Sequence, residues 1–257
     1  MSYLVICAVA LLASGLTFFS GFGLGTLLLP AFALFFPIDQ AVAMTAIVHF
    51  LNGFFKLWLV GRDADRRIVL RFGIPAVVAS FLGAWVLVWL SGIEPILVYN
   101  LAGRGMKVMP AKLAIGILLL LFAVAELLPR FRDMSFGPKY LTVGGLLSGF
   151  FGGLSGMQGA LRSAFLTRAG LSKEAFVATG VVIACLIDAS RLGVYSRSLF
   201  AEGVRLDYGL LGAAVVSAFV GALLGNRYLK KLTLHGVQRI VATMLFAVAI
   251  GLVFGIL

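Results

Sequence analysis

Ser20-Gly-Phe-Gly-Leu-Gly-Thr26, closed by Leu27-Leu-Leu-Pro30, and Gly152-Gly-Leu-Ser-Gly-Met-Gln-Gly159, followed by Ala160-Leu-Arg-Ser163, interrupt two of the longest apolar runs in the chain. The runs cover roughly 3–36, 38–60, 68–91, 112–128, 138–166, 174–197, 206–229 and 236–256. A bilayer crossing takes about 20 apolar residues as a helix. Runs this continuous are not the alternating ten-residue strands of a membrane barrel. In lipid the backbone must satisfy its own polar groups, so the runs read as helices. Glycine relaxes the backbone where a helix must break and turn, so the two interrupted runs read as helices that dip and return.

Composition supports lipid as the solvent. Of 257 residues, 61% are hydrophobic and 12% charged, about half the charge of a soluble domain. Mean hydropathy is +1.09. A core of this size cannot hide so much apolar surface from water. A soluble enzyme, a disulfide scaffold, a disordered chain and a DNA-binding domain are excluded. The net charge of +11 sits in short loops, as the cytoplasmic bias of membrane proteins requires, so no nucleic-acid partner is implied. Cys7 and Cys185 lie in apolar runs, and two histidines cannot build a rich metal site, so no cofactor is expected. Met1 to Ser14 lacks a basic leader and reads as part of the first membrane segment.

The chain repeats itself. Val77, Val78, Phe81, Gly83 and Ala84 recur as Val215, Val216, Phe219, Gly221 and Ala222. Gly23 with Ala31-Phe32 recurs as Gly156 with Ala164-Phe165. The expected organisation is a first repeat over 1–128 and a second over 138–257, each of four hydrophobic segments. The stretch Ser91–Lys112 has no counterpart and reads as an inserted surface loop, with room for a short interfacial helix.

Basic residues choose between topologies. Eight plain crossings divide them evenly between the two sides. If segments one and five are helical hairpins, Arg62, Arg66, Arg67, Arg71, Arg130, Arg132, Lys139, Arg168, Lys173, Arg227, Lys230, Lys231 and Arg239 gather on one side. Arg104, Lys107, Lys112, Arg197 and Arg205 stay on the other. The positive-inside rule favours the second arrangement. The fold class expected is therefore an all-α integral membrane protein of two inverted four-segment repeats, with both termini periplasmic and the chain in the inner membrane.

Chemistry is carried by polar residues far from the loops. Thr45, His49, Asn52 and Lys56 share one helix face, and Asp188, Arg191 and Tyr195 repeat the His49–Asn52–Lys56 spacing. An uncompensated charge at membrane depth costs at least ~2.5–3.5 kcal/mol, so these residues should face a cavity or a partner. Broken helices present free N–H groups that favour anions. The expected binding set is Gly23, Gly25, Thr26, Asn52, Lys56, Ser155, Gly156, Gln158, Arg162 and Arg191, with Thr26 capping the first return arm. His49 and Asp188 are the proton-coupling candidates. Competing readings are close helix packing for the glycines, snorkelling for Lys56, a cytoplasmic-edge position for Arg162 and a structural ion pair for Asp188 with Arg191. The cations outweigh the single carboxylate, which points to a small anion as cargo. An anion channel and a membrane-embedded lipid-modifying enzyme are the alternatives. The glycines of 221–225 and 251–255 suit either a homodimer or the internal bundle.

The paired motifs Ser20–Thr26 with Pro30 and Gly152–Gly159, in this order and with Thr45 and Thr179 following, resemble the sulfite exporter TauE/SafE family of membrane permeases. The resemblance implies a secondary carrier, proton-coupled or driven by the anion gradient, for sulfite, sulfonates, thiosulfate or related organic acids.

Overall fold

The computed structural model describes residues 1–16, 23–101, 104–128, 134–201, 206–228 and 234–256. Ten helices carry the described chain: α1 (Ser2–Leu16), α2 (Leu24–Ala33), α3 (Ile38–Val60), α4 (Arg66–Ser91), α5 (Pro110–Leu127), α6 (Leu141–Ser155), α7 (Gly159–Leu166), α8 (Lys173–Ala201), α9 (Tyr208–Tyr228) and α10 (Leu234–Val253). Four stretches, Ile38–Asp63, Arg66–Ser91, Lys173–Ser196 and Tyr208–Gly225, are long and apolar enough to cross a membrane. Large apolar side chains such as Trp58, Val78, Trp85 and Val216 lie exposed on these helices, as lipid contact requires. The chain is thus a helical membrane protein.

Local chemistry sets the helix ends. The Asp65 carboxylate accepts from the backbone N–H of Ile68 at the start of α4, and Asp207 accepts from that of Leu210 at the start of α9. Pro110 opens α5, where its missing N–H does no harm. Within α4 a wider π-type turn over Val69–Gly73 precedes Pro75, which removes one regular helical bond.

The stretch expected as a surface loop or interfacial helix is instead an antiparallel β-hairpin, β1 (Leu97–Leu101) with β2 (Arg104–Val108), Leu97 facing Val108 in register. Ile96, Leu97, Val98 and Tyr99 favour extended backbone, and Pro95 before them resists a helix. The hairpin docks on the end of α10. Tyr99 Oη donates to the Phe254 carbonyl at 2.5 Å, and Gly255, with φ of 63°, lies against the Lys107 backbone.

Glycine controls the closest helix contacts. On α6, a Cβ at Gly145, Gly149 or Gly153 would overlap the carbonyl of Phe72, Ala76 or Ser80 on α4. On α9, a Cβ at Gly221 or Gly225 would overlap the carbonyl of Leu11 or Gly15 on α1. In both pairs residue numbers rise together, so the helices run the same way. Of the two readings open for glycines 221, 225 and 255, the internal one holds, since each lies against backbone of this chain. The pairs α3–α8 and α5–α10 run oppositely. Phe50, Leu57 and Val60 meet Val177, Val181 and Cys185 in the first, and Gly116 meets Ala249 and Val253 in the second.

Candidate functional site

The two breaks meet near the middle of the fold. Residues 17–22, and with them Ser20 to Phe22 of the first motif, lie outside the described residues. Gly23 precedes α2 with φ of 116°, and Gly156 ends α6 with φ of 82°. These are the two glycines that the repeat aligns, and both hold a left-handed backbone that other residues adopt at a cost. After Gly156 the chain folds back along α6. Ser148 Oγ donates to the Gln158 carbonyl at 3.0 Å, and Phe165 packs on Gly144. The turns touch: a Cβ at Gly25 would sit 3.0 Å from the Gly156 carbonyl oxygen and 3.5 Å from the His49 ring. Thr26 does not cap the return arm. Gly23 occupies the cap and Thr26 lies inside the first turn of α2, because the helix starts at Leu24.

Four charged side chains are buried among the described residues: Lys56, Arg162, Asp188 and Arg191. Asp188 is the hub. Its Oδ2 lies 2.5 Å from His49 Nδ1, and its Oδ1 accepts from Arg191 Nε at 3.0 Å and Gln158 Nε2 at 3.2 Å. Arg191 Nη2 is 2.9 Å from the same oxygen. His49, Gln158 and Arg191 thus converge on one carboxylate. Gln158 bridges outward, its Oε1 accepting from Arg162 Nη1 at 3.1 Å. That fixes the amide's orientation, since a flip would set oxygen against carboxylate and nitrogen against guanidinium.

Lys56 does not extend to the protein surface, and it and Arg162 are both buried within the chain. Lys56 Nζ lies 3.5 Å from the Ser14 carbonyl oxygen, and Ser14 Oγ donates to Asn52 Oδ1 at 3.1 Å. Ser14 was not among the expected residues, because a lone serine in an apolar arm carries no signal until α3 packs on it. Ser155 is buried, but its Oγ donates to the Phe151 carbonyl and accepts from the Met157 N–H, so it braces the turn itself. Thr179 also serves the scaffold, accepting from the Asp65 N–H at 2.9 Å. Tyr195 Oη donates to the Gly153 carbonyl and ties α8 to α6.

Among the described residues, buried Thr45 Oγ1 and Arg191 Nη1 have neither a hydrogen-bond nor an ion-pair partner. Such orphans are rare in folded proteins and each calls for an explanation. Arg191 Nη1 lies against the Gly156 turn, 2.6 Å from where a Cβ would stand, so only glycine leaves the guanidinium its place. Among the described residues no cluster of His, Cys, Asp and Glu suits a metal ion.

No curated protein matches the chain. The sequence model of the family described as Sulfite exporter TauE/SafE matches residues 6–252. A match over nearly the whole length, on a helical membrane fold with cations buried around paired glycine turns, gives the chain its kinship: it belongs to the sulfite exporter TauE/SafE family of membrane transporters.

Proposed function

We propose that this chain is a secondary carrier that moves a small sulfur-containing or organic oxyanion across the inner membrane. The observation that carries the reading is the imbalance of buried charge. Lys56, Arg162 and Arg191 are inside, and Asp188 is the one buried carboxylate among the described residues. Excess positive charge at membrane depth is costly until an anion enters. Family membership favours a sulfur oxyanion, and sulfite, thiosulfate and sulfonates share the tripod of oxygens that guanidinium groups recognise.

In this reading the two halves are inverted repeats and segments one and five are helical hairpins. Support comes from helix directions. Inversion sets equivalent helices antiparallel, as α3 lies on α8 and α5 on α10. It also exchanges partners, so that α1 on α9 is the counterpart of α6 on α4. The basic loops then face the cytoplasm and both termini the periplasm. The anion binds between the turns at Gly23–Thr26 and Ser155–Gln158, with Asn52 supplying neutral hydrogen bonding. His49 is the better proton carrier of the two candidates, because Asp188 is already committed to three donors. Protonation of His49 as an anion arrives balances one charge with another.

The test uses purified chain with a panel of sulfite, thiosulfate, sulfonates and carboxylates. Thermal stabilisation by at least one oxyanion and saturable, exchange-type flux in proteoliposomes are expected. Flux that never saturates would assign a channel, and conversion of lipid would assign an enzyme. His49→Gln should flatten the pH dependence of flux while leaving thermal stabilisation by the anion in place.

A further inference from the structure

We infer that the anion path contains two stations in series, one on each side of Asp188, rather than a single midplane site. The inference rests on the carrier reading above and refines it. The cations do not converge on one point. Arg162 lies against Gly180 of α8, its Nε 3.4 Å from where a Cβ would stand, whereas Arg191 lies against the Gly156 turn. The backbone positions of Gly180 and Arg191 are roughly 16 Å apart along the helix at about 1.5 Å per residue. On α3, Thr45 and Lys56 are separated by the same rise, about 16 Å. Because α3 and α8 run oppositely, with His49 against Asp188 and Gly53 against Cys185, Lys56 falls at the level of Arg162 and Thr45 at the level of Arg191.

The first station is formed by Arg191 and Thr45 beside the touching turns. Its mark is a pair of orphaned atoms, Arg191 Nη1 and Thr45 Oγ1, both buried. They offer one guanidinium N–H donor and one hydroxyl, which an oxyanion head group satisfies together. The second station is formed by Lys56 and Arg162, two buried cations that the α3–α8 register brings to one level. Asn52 and Ser14 line its wall. Between the stations stand the Gln158 amide and the Asp188 carboxylate, each hydrogen-bonded on both sides. Lys56 and Thr45 stand about three helical turns apart on α3. A negative carboxylate between two positive stations keeps each from holding the anion too tightly, the condition for passage through a multi-site path. Passage requires the bond between Gln158 and Asp188 to open, which makes Gln158 the divider.

The experiment measures half-saturation for radiolabelled thiosulfate separately from each face, in proteoliposomes of known orientation. Lys56→Gln should raise it about tenfold from the Lys56 face, the effect of losing one charge-assisted hydrogen bond, and leave the opposite face unchanged. Thr45→Val keeps the side chain's shape, so folding is preserved. It should raise half-saturation about threefold from the opposite face only. Equal rises from both faces in either variant overturn the two stations while leaving the carrier intact. Absence of saturable thiosulfate flux in the unaltered chain removes the carrier reading for this anion and the two stations with it.

Discussion

The contact of α4 with α6 and the contact of α3 with α8 both join the two halves of the chain, and they are built on opposite principles. Between α4 and α6, Gly145, Gly149 and Gly153 let backbone press on backbone, and little but the Ser80 hydroxyl, donating to the Ile187 carbonyl, is polar. Between α3 and α8, His49, Asn52, Lys56, Asp188 and Arg191 hold polar atoms at membrane depth. Lipid gives helices no hydrophobic reason to associate, so tight packing of small residues is what fastens a bundle. Side chains as long as arginine cannot pack that way. In the proposed carrier one interface is a fastening and the other a passage. The same division appears at α1 with α9, where Gly221 and Gly225 press on the α1 backbone.

The strongest way to break this contrast is to strand a charge. Asp188→Ala leaves Arg191 buried without its counter-ion and should destabilise the chain by about 3–5 kcal/mol, read as thermal unfolding in detergent. Asp188→Leu combined with Arg191→Met should recover most of that loss, because apolar replacement of a buried pair is often neutral. Flux should stay absent in the double variant. Recovery of flux together with stability would show the pair to be scaffold and erase the distinction between the interfaces.

Gly149→Val drives a side chain into the Ala76 carbonyl and should destabilise by about 1–3 kcal/mol, as overpacking does. Flux per folded molecule should be unchanged. A specific loss of flux in well-folded protein would move this interface from fastening to passage.

Thr179→Val sharpens the comparison within α8 itself. It removes the acceptor of the Asp65 N–H and should lower stability by about 1 kcal/mol, without altering anion half-saturation. The smallest effect is expected at the outer end of the α1–α9 contact. There Tyr3 Oη donates to Asp207 at 2.9 Å, and the Leu210 N–H, then Tyr3, hold the Asp207 carboxyl below its usual range. Its folded value being depressed, its contribution is complete above the unfolded carboxylate value of about 3.9 and fades as pH falls through the folded value. Hydrogen exchange in the first turn of α9 should therefore be insensitive to pH-driven loosening at neutral and mildly acidic pH. Asp207→Ala should raise that exchange and leave flux untouched.

Much of the site was legible residue by residue. His49, Asn52, Lys56, Asp188 and Arg191 announce themselves because ionisable and amide groups in apolar runs are expensive and therefore rare. Gly23 and Gly156 were legible as a pair because a repeat aligned them. Ser14 was harder. A hydroxyl in an apolar helix can satisfy itself on its own backbone, so its spacing says nothing until neighbours are in place. Thr26 misled for a related reason, since a capping residue is recognised by where the helix begins, and a glycine-rich break has several places to begin. The β-hairpin at 97–108 was hidden by its apolar strands, which read equally well as a loop beside a membrane.

The sequence by itself determined the solvent, the helices and the family, because hydropathy, helical period and motif order are properties of short stretches. It also supplied the inventory of buried charge. Tertiary structure decided which charges meet. The burial of Arg162 beside Gly180, the bridge from Arg162 through Gln158 to Asp188, and the orphaned atoms of Arg191 and Thr45 all depend on α7 folding back along α6 and on α3 running against α8. Electrostatic energy depends on distance and surroundings, and neither is fixed until helices distant in the chain have packed.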